Sequence, residues 1–250
     1  EDENLDAAFE VNPTIASHYM SAMQRINKMF GNVKQGGEAK TRRTLKKHGA
    51  EYASTYQELT NRSYQANMAR LTGTIITNMS RDGKLHDNPV ILDLGSGPEM
   101  LRRHISKRLS QQVVSLDINS HHFAEKSATP RVVGSVVSIA AGSQSVDVVS
   151  MGLVLDSTKY MTSKRGSDPE ALERLAIMTE INRVLKPGGT AVITQIYSLD
   201  FEDVPAFERL MKKIGFEVVR PTSGLVYSKS ELRGRVVTLK KVSEIPTITE

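Results

Sequence analysis

Cysteine and tryptophan are both absent from this chain of 250 residues, and aromatic residues make up only 5% of it. Without cysteine there is no disulfide, no thiolate metal site and no mechanism that runs through a cysteine nucleophile. Aromatic platforms for stacking bases are scarce, although Tyr52, Tyr56 and Tyr64 lie close to a basic run. No apolar stretch approaches the roughly 20 residues that a membrane helix needs, and no charged start followed by an apolar run suggests a signal peptide. The expectation is a soluble, intracellular protein with no membrane partner. The start at Glu1 rather than Met is that of a processed form or of a piece of something longer.

What is present is the composition of a globular protein: 39% hydrophobic and 24% charged residues, enough for one substantial core and an appendage. The net charge of +5 permits a polyanionic partner without requiring one. It is unevenly placed. Glu1, Asp2, Glu3, Asp6 and Glu10 make an acidic start, and Lys34, Lys40, Arg42, Arg43, Lys46 and Lys47 cluster soon after. Such a run is either a solvated surface or a set of phosphate contacts.

Hydropathy patterning divides the chain at about residue 80. Up to Ser80 the apolar residues recur at helical spacing, first from Ile15 to Met29 behind an Asn12-Pro13-Thr14 start, then from about Glu51 to Met79. Residues 1–80 are therefore expected to form a helical extension, and 81–250 the main domain. From Pro89 short apolar runs alternate with helical stretches. Residues 90–94, 113–116, 146–150 and 190–194 have the character of buried parallel strands. Helical patterns over 100–109, 121–126 and 168–185 lie between them, the signature of a doubly wound α/β sheet. Residues 216–219 and 235–239 are two further strands, expected as an antiparallel pair closing the C-terminal edge.

The first strand ends in Asp93-Leu94-Gly95-Ser96-Gly97, and the next in Asp117. Glycines after a strand let backbone approach a ligand closely, and an acid about 20 residues further on, at the end of the next strand, suits a ribose. A nicotinamide dinucleotide is disfavoured, because Met100 stands where its fingerprint needs a glycine and Pro98 removes a backbone donor.

Residues Ile91 to Pro98 resemble the first motif of the class I S-adenosylmethionine-dependent methyltransferases, and Val114-Ser115-Leu116-Asp117-Ile118 the second. Ser145 to Ser150 resembles the fourth-strand motif of that family, and Val184 to Gly189 the turn before strand five. The resemblance covers roughly residues 88–241. It implies a Rossmann-like fold, S-adenosylmethionine as cofactor and transfer of its methyl group. By the same resemblance Asp93, Gly95, Ser96 and Gly97 lie along the methionine part, Asp117 holds the ribose and Ile118 packs on the adenine. Two positions depart from the pattern. Glu99 stands where many members carry a third glycine, and either binds the cofactor amino group or narrows the pocket. Ser135 follows Gly134 where an acid commonly meets the adenine amino group.

Methyl transfer from a sulfonium needs alignment and, for some acceptors, a base, so the acceptor leaves little trace in sequence. Asp156, after the fourth strand, is the candidate base or orienting group, near Tyr160 and Tyr197. His121 and His122 have no metal-binding spacing, and no metal is expected. Two acceptor classes remain: RNA or DNA docked through Lys40, Arg42, Arg43, Lys46 and Lys47, or a small molecule or protein under a helical lid. A methyltransferase-like module that binds a partner without catalysis is the alternative outside the enzyme class.

Overall fold

In the computed structural model, residues 43–51, 53–55, 64–123, 129–152, 169–194, 204–219 and 236–244 are described. They divide into two compact units, within the bounds 1–67 with 119–126, and 68–118 with 127–250. In the first, residues 43–51 and 53–55 are helical, and Asn119 Nδ2 donates to the Gly49 carbonyl at 3.1 Å. His121 and His122 sit in a short 3-10 turn, Ser120–Phe123.

The second unit is built on a seven-stranded sheet. Its strands are β1 (Ile91–Leu94), β2 (Val113–Asp117), β3 (Arg131–Val133), β4 (Val146–Gly152), β5 (Leu185–Thr194), β6 (Phe216–Val219) and β7 (Val236–Lys241), in spatial order β3-β2-β1-β4-β5-β7-β6. The first five run parallel, and β7 enters antiparallel between β5 and β6. This is the doubly wound, mostly parallel sheet with an antiparallel C-terminal edge that the patterning predicts. The helices are α1 (Tyr64–Arg81), α2 (Met100–Arg103), α3 (Lys107–Ser110), α4 (Pro169–Val184) and α5 (Val204–Lys213).

Strand alternation sorts the side chains between two faces. Leu92, Leu94, Leu116, Val149, Met151, Ala191 and Ile193 enter one apolar cluster with Ile177 and Ile181 of α4 and Met211 of α5. Ile91, Val113 and Val148 alternate to the other face and are equally buried. That second face is not uniformly apolar: Asp93, Ser115 and Ser150 lie side by side on it in adjacent strands. The polar row positions the site described below.

Three details of this unit differ from the sequence expectation. The helix over 100–109 is two short helices, broken at His104, with Ser106 capping the second by accepting from Leu109 N at 3.4 Å. Strand β3 gives no sequence signal, being three residues long and no more than half-buried. Pairing of β5 starts at Leu185 rather than Thr190: Val146 faces Leu185 and Val148 faces Thr190, so the Lys186-Pro187-Gly188-Gly189 excursion is a bulge within the strand. Lys186 Nζ fastens it, donating to both Asp147 oxygens at 2.9 Å.

Candidate functional site

The strand order reverses direction between β1 and β4, and in open parallel sheets ligands bind at the carboxyl ends of strands beside such a switch point. The chain leaving β1 there is sharply bent. Gly95 and Gly97 both have left-handed backbone, with φ of 63° and 48°. L-residues reach that region at a steric cost, so glycine is the residue the turn demands. Two hydrogen bonds tie the loop to the end of β2: Ser96 N donates to Leu116 O at 3.1 Å, and Gly97 N to Asp117 Oδ2 at 2.8 Å. Asp117 is buried, and its backbone carbonyl also accepts from Gly134 N at 3.0 Å. One residue therefore joins the glycine loop, the end of β2 and the segment after β3.

Asp93 is buried, and burial pushes its carboxyl from the usual 3.8 up to about 7, against the lowering effect of a hydrogen bond with Ser150 and of the Arg102 charge. Ser96 is buried too, and its Oγ has no hydrogen-bond partner among the described residues. A buried hydroxyl without a partner costs free energy, and a ligand that supplies one recovers it. Ser135 is buried after Gly134, its Oγ accepting from Val137 N at 3.4 Å, and Ile118 is half-buried.

Glu99 is engaged with residues of α2, β2 and β3. It too has left-handed backbone, with φ of 56°. Its Oε1 accepts from Ser115 Oγ at 2.9 Å and Arg131 Nε at 3.2 Å, and Arg102 Nε lies 3.1 Å from the same oxygen. Oε2 accepts from Arg131 Nη2. Burial opposes ionisation of Glu99, but the hydrogen bonds from Arg131 and Ser115 and the charge of Arg102 outweigh it and hold the carboxyl below its ordinary range. Arg102 in turn donates through Nη2 to Val113 O at 2.6 Å and Pro130 O at 3.0 Å.

The structure thus brings Asp93, Gly95, Ser96, Gly97 and Asp117 to the ends of two adjacent strands, and ties Ser135 to them through Gly134. Asp156 lies outside the described residues, as do Tyr160, Tyr197, Lys40 and Arg42. Sequence reasoning missed Arg102, Ser115 and Arg131. The spacing of Glu99 and Arg102 and the serine inside an apolar strand were available signals. Arg131 offered none.

The residues present fit S-adenosylmethionine. Its cationic amino-acid end suits a buried carboxyl such as Asp93, which regains its charge beside a cation. Its ribose suits the acid at the end of β2, and the two left-handed glycines leave no Cβ to obstruct close approach.

Strand order, glycine loop and following acid define a class I S-adenosylmethionine-dependent methyltransferase. The chain belongs to the family described as "Hypothetical methyltransferase", whose model matches residues 36–224. No curated protein matches its sequence. Among solved structures it is similar to a putative S-adenosylmethionine-dependent methyltransferase from Methanococcus maripaludis, at 16% identity and a TM-score of 0.50, over 79% of this chain and 95% of that one. A chain from the complex between the Haloferax volcanii Trm112 methyltransferase activator and the putative methyltransferase is 14% identical, with a TM-score of 0.49, over 78% of this chain and 97% of that one. At 16% identity, the likeness to the Methanococcus maripaludis protein speaks to the fold alone.

Proposed function

We propose that this methyltransferase holds the methionine end of its cofactor in the loop of Gly95, Ser96 and Gly97, with Asp93 beneath it, and the ribose at Asp117, and that its acceptor is RNA. S-adenosylmethionine, when bound, would supply a methyl group already activated on its sulfonium. The chain's residues have a narrower task, to fix donor and acceptor in line and to receive a proton where the acceptor carries one. Ile118 and Ser135 are assigned to the adenine end. Asp156, after β4, is assigned the acceptor side, as base or orienting group.

The observation that carries the cofactor assignment is the left-handed glycine pair joined to Asp117 by the Gly97 hydrogen bond. For the acceptor it is the helix at 43–51, where Arg43, Lys46 and Lys47 are exposed at helical spacing while Leu45 and Gly49 are buried. One face of that helix therefore presents cations to solvent, the arrangement that meets a phosphate backbone.

Calorimetry with S-adenosylmethionine and S-adenosylhomocysteine tests the cofactor assignment. Binding of both is expected, and no measurable affinity for either would sink it. Transfer of a labelled methyl group into fractionated RNA, protein and metabolite pools tests the acceptor. Label in RNA is expected; label only in protein or metabolites would overturn the RNA assignment and leave the cofactor site standing.

A further inference from the structure

Two residues beyond the glycine loop, Glu99 is at odds with its own backbone. Position 99 has a left-handed conformation that glycine adopts freely, yet a glutamate occupies it. Its carboxylate reaches across the sheet to β2 and β3, with both oxygens engaged by Arg131 and one also by Ser115 and Arg102. All three charged side chains are largely shielded, at 10% exposure for Arg102, 16% for Arg131 and 12% for Glu99. Removing one member of such a group leaves the others buried and uncompensated.

Placement gives the network its consequence. Glu99 stands two residues after the loop assigned to the methionine end, with Pro98 between. Arg131 opens β3, which leads into Gly134 and Ser135, assigned to the adenine end. Strand β3 is short and lies at the sheet edge, where among the described strands its partner is β2. Arg102 strengthens the tie by holding Val113 O and Pro130 O together where β2 and β3 begin.

We infer that Glu99 is a positioning residue: through Arg131 it locks the methionine-side loop to β3 and so sets the distance between the two ends of the cofactor site. This rests on the cofactor assignment above. It gives Glu99 a role that neither a turn-forming residue nor a direct cofactor ligand would have.

The test compares Glu99→Gln, Glu99→Gly, Arg131→Met and the double variant Glu99→Gln/Arg131→Met. It reads affinity for S-adenosylmethionine and for adenosine alone, and amide hydrogen exchange in the ligand-free protein. The expected result is a loss of about tenfold in affinity for both ligands in each single variant, the size of one lost charged hydrogen bond. The double variant should be no worse than either single one, and exchange should quicken together at Gly97 and Gly134. Glu99→Gly, which relaxes the backbone, should not restore binding. Three results would overturn the inference: wild-type affinity in Glu99→Gly, loss confined to S-adenosylmethionine with adenosine and Arg131→Met unaffected, or unchanged exchange at Gly134. The exchange arm needs no ligand, so a wild-type protein that binds no cofactor would defeat the cofactor assignment, while coupled exchange at the two glycines would still report the lock.

Discussion

Above neutral pH the Asp93 carboxyl has to ionise inside the sheet, and that sets an unusual sign on its contribution to stability. Its folded value of about 7 lies above the ordinary 3.8, so between those limits the folded state binds more protons than the unfolded one. Stability from this group is therefore greatest below about pH 4 and falls as pH rises towards 7. The whole shift corresponds to roughly 4 kcal/mol as an upper figure. Asp93→Asn, which mimics the neutral acid, should raise the melting temperature at pH 8 and change it little at pH 4, while weakening S-adenosylmethionine binding. Equal effects at both pH values in thermal melts would remove the buried-acid account. Glu99 has the opposite sign: its carboxyl is held low, so the stability it contributes is present above pH 4.5 and lost as pH falls through its folded value. Asp117→Ala removes the acceptor of the Gly97 amide and, on the present assignment, that of the ribose. A loss of about 1–3 kcal/mol in cofactor affinity by calorimetry is expected, and unchanged affinity would show the ribose to be bound elsewhere.

Helix α1 illustrates how tightly the elements around the loop are set. A Cβ at Gly73 would come within 2.4 Å of the His104 carbonyl oxygen, at the break between α2 and α3. Gly73→Ala gains helix propensity but must push that backbone aside, so a net destabilisation of about 1–3 kcal/mol is expected in chemical denaturation. A stabilised variant would show that the contact yields. The same break marks where sequence reading ran out. Four parallel strands and the antiparallel pair were legible because each is an apolar run bounded by turn residues. The break at His104 was not, because residues 100–109 keep helical periodicity through it, even though Ser106 is a good N-cap. Strand β3 was invisible for a different reason: one of its three residues is Arg131, whose carboxylate partner, Glu99, lies 32 positions earlier. The glycine loop and Asp117 were legible as local chemistry, and the lock between Glu99 and Arg131 was not, being a long-range pairing of charges.

On the scale of the whole chain, the cofactor and acceptor assignments call for separate measurements. Cofactor that binds only the folded state raises the melting temperature, by the equivalent of about 2.7 kcal/mol at a hundredfold excess over Kd. No thermal shift with saturating S-adenosylmethionine would contradict the assignment irrespective of the acceptor. RNA affinity should fall steeply with salt, and neutralising Arg43, Lys46 and Lys47 together should lower the log–log slope by about two, from some 0.7 per single-strand phosphate contact. Equal slopes would take away the reason for placing RNA on that helix. Among the described residues no helix is long and apolar enough to cross a membrane.

The insertion of β7 between β5 and β6 has a bearing on the order in which the chain can mature. Strands β2 to β5 each pair with a strand that precedes them in the chain. Strand β6 does not: its partner in the sheet is β7, which comes later in the chain and also covers the open side of β5. A nascent chain that has emerged as far as Val219 therefore holds an unpaired strand and an uncovered sheet edge. Both are covered once residues 236–241 pair with β5 and β6. Completion of the sheet is thus tied to translation of its last strand, and a chain stalled before that point exposes the edge most prone to pairing with a stranger.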